Sequence, residues 1–192
     1  MTPALSILVC SVGDRLDRMV RVYDALAGQA VPYCRDVEIL VLTDNRCRSI
    51  GLKRQALLDV ARGDYLCFVD DDDNVAGGFV TACVAGAAER PDVVVFPTTC
   101  ASNEFGDMLI EHSIGNPNEE ARMPGFKRKP WFMHPIRREI AQSSRFPNKS
   151  WGEDAEWLAG VWPHLQREFS ASAEPLYTYH WNDAKPNPDK PK

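Results

Sequence analysis

The chain has 192 residues, with 27 acidic and 22 basic side chains for a net charge of −5, and is 44 % hydrophobic. This balance excludes collagen-like, coiled-coil and wholly disordered chains, and the negative charge excludes a domain that grips nucleic acid by bulk electrostatics alone. The longest apolar runs, 7–10, 37–42 and 65–69, are strand-length, far short of the roughly 20 residues of a membrane helix, and Met1-Thr2-Pro3-Ala4 opens no leader of basic then apolar residues, so a cytoplasmic location is expected. Six cysteines at 10, 34, 47, 67, 83 and 100 show neither Cys-x-x-Cys nor zinc-finger spacing. Cys10, Cys67 and Cys83 fall inside apolar patterns and are read as small buried hydrophobes in a reducing compartment.

The period of the apolar residues calls the elements in order. Leu5 to Cys10 is a buried strand. Leu16, Met19, Val20, Tyr23, Leu26 and Ala27 recur at helical spacing, with Asp14 placed to cap the start and Gly28 and Pro32 ending the pattern. Val37 to Leu42 is a second strand. A second helix carries Ile50, Leu57, Leu58 and Ala61, and closes at Gly63 before a third strand, Tyr65 to Val69. Phe79, Val80, Cys83, Val84 and Ala87 share a face of a third helix, and Val93 to Phe96 is a fourth strand. This alternation predicts an α/β fold with a mainly parallel sheet flanked by helices. Beyond Pro97 the pattern loosens into a turn over 103–107 and a loop over 115–125. It resumes as a short helix over Pro135 to Gln142, a longer one from Ser150 and a strand over Leu176 to Trp181. One domain over 1–181 is expected, split near residue 100, with a disordered tail over 182–192.

In parallel sheets ligands sit outside the carboxyl ends of the strands, which directs attention to 11–14, 43–46 and 70–74. Asp70-Asp71-Asp72-Asp73 leaves the third strand directly. Adjacent carboxylates repel, and a divalent cation relieves that repulsion. Alternate residues at a strand end point the same way, so Asp70 and Asp72 share a face as hard oxygen ligands suited to Mg²⁺ or Mn²⁺. Arg46, Arg48, Lys53 and Arg54 form a basic cluster placed to meet a diphosphate, with Ser11 after the first strand as a further contact. Ser150-x-x-Glu153 fits a capping box, and Asp154 adds a charge beside it that the box does not explain.

Ile50-Gly51-x-Lys53-Arg54-Gln55-Ala56-Leu57 followed by Ala61-Arg62-Gly63-Asp64-Tyr65-Leu66-x-Phe68-Val69-Asp70-Asp71-Asp72-Asp73 resembles the core of family 2 glycosyltransferases of the GT-A fold. The resemblance implies a GT-A (Rossmann-like) domain with a nucleotide-sugar half over about 1–100 and an acceptor half over about 101–181. It implies an Asp-x-Asp element with Asp72 and Asp70 as metal ligands, Asp44 near the base and Arg54 near base or phosphates. It makes Glu153-Asp154 the match to the family's Glu-Asp element, with Asp154 as general base and Glu153 as its partner. His180 is a third candidate ligand, and His134, ahead of Pro135-Ile136-Arg137-Arg138, falls where relatives place acceptor-side residues. Trp131 and Trp151 are read as aromatic surfaces for a sugar, with core packing as the alternative. Thr43-Asp44-Asn45 departs from the paired aspartates of many relatives, which leaves the nucleotide open.

Transfer from a nucleoside diphosphate sugar needs charge stabilisation at the departing diphosphate and a separate base on the acceptor side, and a single displacement inverts the anomeric centre. The expectation is a metal-dependent inverting glycosyltransferase. The alternatives are a non-catalytic nucleotide-sugar or carbohydrate-binding module and a nucleotidyltransferase or phosphatase, the last two lacking their glycine-rich loop or Asp-x-Asp-Gly-Thr here. The acceptor is not legible: a glycan, a lipid-linked sugar reached through Lys127, Arg128 and Lys129, and a hydroxylated nucleic-acid base all remain open.

Overall fold

The computed structural model describes residues 2–102, 106–117 and 125–181. The 182–192 tail, the 103–105 part of the first turn and 118–124 of the long loop lie outside them. The strands are β1 (Leu5–Val12), β2 (Val37–Asp44), β3 (Tyr65–Asp70), β4 (Asn74–Val75), β5 (Val93–Val95), β6 (Thr98–Ser102), β7 (Gly106–His112), β8 (Gly125–Arg128), β9 (Ile136–Arg137), β10 (Glu168–Ser170) and β11 (Tyr177–Trp181). The helices are α1 (Leu16–Ala30), α2 (Ile50–Val60), α3 (Phe79–Ala88), α4 (Arg138–Ala141) and α5 (Glu153–Val161). They form a mixed α/β architecture of the GT-A, Rossmann-like kind. A six-stranded sheet runs β10-β5-β9-β3-β1-β2, and a five-stranded sheet runs β4-β11-β6-β7-β8.

β1 pairs in parallel with both β2 and β3; β1 and β3 are buried as central strands, while β2 is the half-buried edge of the sheet. The stretch over 135–142, read from sequence as helix, begins instead as β9, antiparallel between β3 and β5. The Arg137 N–H donates to Asp92 O and the Val94 N–H to Pro135 O on the β5 side, and the Arg138 N–H donates to Asp64 O on the β3 side, so this extended segment serves both neighbouring edges and only 138–141 is left to coil. In the second sheet β7 alternates, with Met108, Ile110 and His112 inward, over a small cluster of Cys100, Met108, Ile110 and Phe126.

Two local expectations change. On α1 the buried seam is Val22, Leu26 and Ala30, while Leu16, Val20 and Tyr23 are exposed. Both stripes obey helical spacing, and docking on the sheet selects one. Asp14 caps nothing: a 3-10 turn over Gly13–Arg15 precedes α1, and the Asp14 carboxylate accepts from Arg46 Nη2 at 2.7 Å. All six cysteines are free thiols, with Cys10, Cys67, Cys83 and Cys100 buried and Cys34 and Cys47 exposed. No helix of the described residues is long and apolar enough to cross a membrane.

α2 is tied to the segment that leads into α5. The Gly51 N–H donates to Lys149 O at 3.0 Å, Ile50 N–H to Ser150 Oγ at 3.4 Å and Ser49 Oγ to Asn148 Oδ1 at 2.8 Å. A Cβ at Gly51 would collide with the Pro147 carbonyl oxygen, backbone against backbone. Gly51→Ala is therefore expected to lower stability by about 3 kcal/mol, measured by urea unfolding, because neither side can give way. An unchanged midpoint would refute this junction.

Candidate active site

β3 belongs to the first sheet and β4 to the second, so Asp70 to Asp73 cross the seam between them at the carboxyl end of a central strand. The four carboxylates divide by alternation. Asp71 and Asp73 are buried, while Asp70 and Asp72 are half-exposed. Asp71 accepts from Ser11 Oγ at 2.7 Å and Arg15 Nη1 at 3.0 Å. Asp73 accepts from the Tyr177 hydroxyl at 2.6 Å and the His180 N–H at 2.9 Å. Burial, with Asp70 nearby, pushes the Asp73 carboxyl up to about 8. The inward pair thus fastens the corner to β1 and β11, and the outward pair stays partly open to solvent. Burial, only partly opposed by Arg54, also raises the Asp70 carboxyl, and Asp72, Asp154 and Asp71 add to the rise.

Arg54 is the hub. Its guanidinium, on a side chain only 3 % exposed, donates from Nη2 to Asp70 Oδ1 at 2.8 Å, stands 3.6 Å from Glu153 Oε1 through Nε and lies 4.3 Å over the Phe132 ring. Its Nε and Nη1 are enclosed without a hydrogen-bond partner. One buried cation therefore links the acidic corner to the start of α5. The neighbouring Lys53, also buried, donates to Ser11 O at 2.8 Å and Asp44 Oδ1 at 3.2 Å. Asp44 in turn accepts from the Arg46 and Arg48 N–H groups at 3.1 and 3.0 Å, which folds the loop after β2. Of the basic cluster read from sequence, Lys53 and Arg54 point inward, and Arg46 and Arg48 are exposed.

α5 does not start with a capping box. Gly152, with φ +67°, is the residue before the first turn, a left-handed conformation that suits glycine, and Ser150 Oγ serves Ile50 instead. Glu153 is consequently buried, and burial raises its carboxyl to about 7, with Arg54 opposing and Asp154 reinforcing the rise. An unfolded glutamate titrates near ~4.3, so the folded chain retains a proton that the unfolded chain has released, and the stabilisation is lost as pH climbs between the two values. Glu153→Gln cannot ionise. It is expected to exceed the parent in stability by on the order of 3 kcal/mol above pH ~7 and to match it near pH ~4. Urea unfolding at both ends of the range checks this, and an equal offset at both would refute it.

Asp154 Oδ2 accepts from the Trp131 indole Nε1–H at 3.0 Å, and its Oδ1 from the Ala155 N–H at 2.8 Å. The half-buried Trp131 ring carries the Arg128 guanidinium at 3.7 Å on one face and lies 5.8 Å from the Trp162 ring. Trp151 is 56 % exposed. His180 is exposed on β11, its Nε2 2.6 Å from Asn74 Nδ2 beside the acidic corner. His134 does not reach the site: it is 0 % exposed, contacts Phe96 O and Trp131 O, packs against Phe96 and His112, and burial lowers it to about 4. Ser11 is likewise buried on Asp71. Sequence reasoning missed Arg15 and Arg18, whose Nη1 atoms stand 3.4 and 3.8 Å from Asp72 Oδ2. The only signal was their i, i+3 spacing at the start of α1, pointing back to the strand end.

Among the described residues no three of His, Cys, Asp and Glu converge in a group that could hold a metal ion. The donor chemistry nevertheless fits a hard cation. Two half-exposed carboxylates crowd each other, and Mg²⁺ is commonly bound by one or two carboxylates, with substrate phosphates and water completing its shell.

Fold and site together define an α/β domain with an acidic centre where the parallel strands end. The chain belongs to glycosyl transferase family 2, whose family model matches residues 14–144. It is similar to the crystal structure of S. aureus TarS, with TM-score 0.69 and 15 % identity over 92 % of this chain and 36 % of that one. The TarS 1-349 structure in complex with UDP-GlcNAc superposes with TM-score 0.61 and 14 % identity over 94 % of this chain and 59 % of that one. The complex of the same fragment with UDP gives TM-score 0.59 and 14 % identity, over 92 % and 60 %. The chain thus spans between about a third and three-fifths of these structures' lengths. No curated protein matches.

Proposed function

We propose that the protein is a metal-dependent, inverting glycosyltransferase that uses a uridine diphosphate sugar. The observation that carries this reading is that one buried guanidinium pairs with Asp70 of the acidic corner and stands 3.6 Å from Glu153 at the start of α5, where the charge of the next residue, Asp154, also acts on it. The UDP and UDP-GlcNAc complexes of TarS support the choice of nucleotide.

Asp72 and Asp70 would hold Mn²⁺ or Mg²⁺, with His180 beside them. The ion supplies positive charge for the departing diphosphate. Arg15 and Arg18, which face Asp72, contribute donors on the same side, and the buried Arg54 holds Asp70 in place. Lys53 and Asp44 shape the loop beside the nucleotide. Asp154 takes the proton of the acceptor hydroxyl as its oxygen bonds to the anomeric carbon and the sugar–phosphate bond breaks, and Trp131 holds that carboxylate in place. Attack from the face opposite the diphosphate inverts the centre.

The test is thermal stabilisation by UDP and UDP-sugars with and without Mn²⁺. The expected result is a rise in melting temperature with UDP that grows with Mn²⁺, and loss of the Mn²⁺-dependent part in Asp72→Asn. If no uridine diphosphate compound shifts the parent under either condition, the donor assignment fails.

A further inference from the structure

Arg128 ends β8 on the second sheet, in register with His112 of β7. Its guanidinium carbon lies 3.7 Å from the centre of the Trp131 ring, whose Nε1–H donates to Asp154. The side chain is half-buried, and its Nε is enclosed with no hydrogen-bond partner. Among the described residues no carboxylate stands within ion-pair distance of it. Other cations differ: the buried Lys53 has Asp44 and Arg54 has Asp70, and the half-buried Arg137 has Asp92. Both flanking lysines are engaged elsewhere. Lys127 pairs with Glu111 at 3.3 Å, and Lys129 Nζ donates to Ile114 O at 3.0 Å.

A guanidinium withdrawn from water without a counter-ion is costly, and the Trp131 face below it offers attraction but no neutralising charge. Burial accordingly lowers its pKa, while the charges of Asp154 and Tyr179 act the other way. The planar fork of arginine matches two oxygens of one oxyanion. Trp131 lies under the guanidinium and donates to Asp154, whose charge also acts on Arg128, so such a group would sit beside Trp131 and Asp154, the acceptor's side in the reading of Asp154 as the base.

We propose that Arg128 binds an oxyanion carried by the acceptor and thereby sets its hydroxyl against Asp154, so that the substrate to be glycosylated is an anionic molecule. This rests on the reading of Asp154 as the base. Arg128 selects the acceptor, Trp131 couples it to the base, and a neutral glycan leaves the guanidinium unpaired.

The experiment uses the full chain saturated with UDP, which fills the diphosphate place, titrated with methyl phosphate, acetate or methyl glucoside while the Arg128 Nε–H signal is followed by NMR. An oxyanion is expected to shift that signal, with methyl phosphate against acetate showing whether phosphate or carboxylate is preferred, and methyl glucoside is expected to leave it unmoved. Arg128→Gln is expected to weaken oxyanion binding about tenfold or more and Arg128→Lys less, with UDP affinity unchanged in both. Oxyanion binding as tight in Arg128→Gln as in the parent, or none in the UDP-loaded parent, overturns the proposal. Should UDP itself not bind, the transferase reading fails, and the titration of the unloaded chain still decides whether Arg128 takes an oxyanion.

Discussion

Asp154→Asn is expected to lower kcat by about 10²–10⁴-fold, the range for losing a positioned general base, while UDP-sugar and Mn²⁺ still bind. The amide has nearly the size of the carboxylate, and its oxygen can still accept from the Trp131 indole at the position Oδ2 now holds. What it loses is the ability to take a proton. Hydrolysis of the donor, with water as the acceptor, provides a turnover assay that needs no knowledge of the natural acceptor. Unchanged turnover would remove Asp154 from the base role. A parent chain that binds donor without any turnover, and is indifferent to the substitution, would instead be a binding module.

Arg54→Met should cost about 3–5 kcal/mol of stability, read by urea unfolding, because it strands Asp70 and the buried Glu153 without their shared cation. The size of the loss comes from the charges left behind rather than from the ion pairs themselves. Pairing the substitution with Glu153→Gln should therefore recover part of it. Strict additivity of the two changes would mean that Arg54 does not couple the acidic corner to α5. Methionine keeps the contact with the Phe132 ring, so lost packing is a small part of the effect.

How much of the site could be read from the residues follows from what its parts depend on. The strand-end aspartates were visible because an apolar run and the acids after it are adjacent in sequence. The alternation of a strand then separates Asp70 and Asp72 from Asp71 and Asp73 without any knowledge of the fold. The buried duties of Asp71 and Asp73 were not visible, since Ser11, Arg15 and Tyr177 lie far away along the chain. Lys53 and Arg54 look like a solvated helix face by composition. Only the approach of Asp44, Asp70 and Glu153 makes it possible to bury them.

Local chemistry by itself determined the strand–helix alternation, the family-like stretch from 50 to 73 and the two acidic segments, because each is a pattern of period or adjacency within a few tens of residues. The tertiary structure decided which stripe of α1 is buried, and that 136–137 joins the sheet rather than a helix. It also left Ser150 without a capping box, sealed His134 in the core and laid Arg128 over the Trp131 ring. Each of these outcomes depends on which distant surface arrives to remove water or offer a partner, and that is a property of the packed chain, not of any window along it.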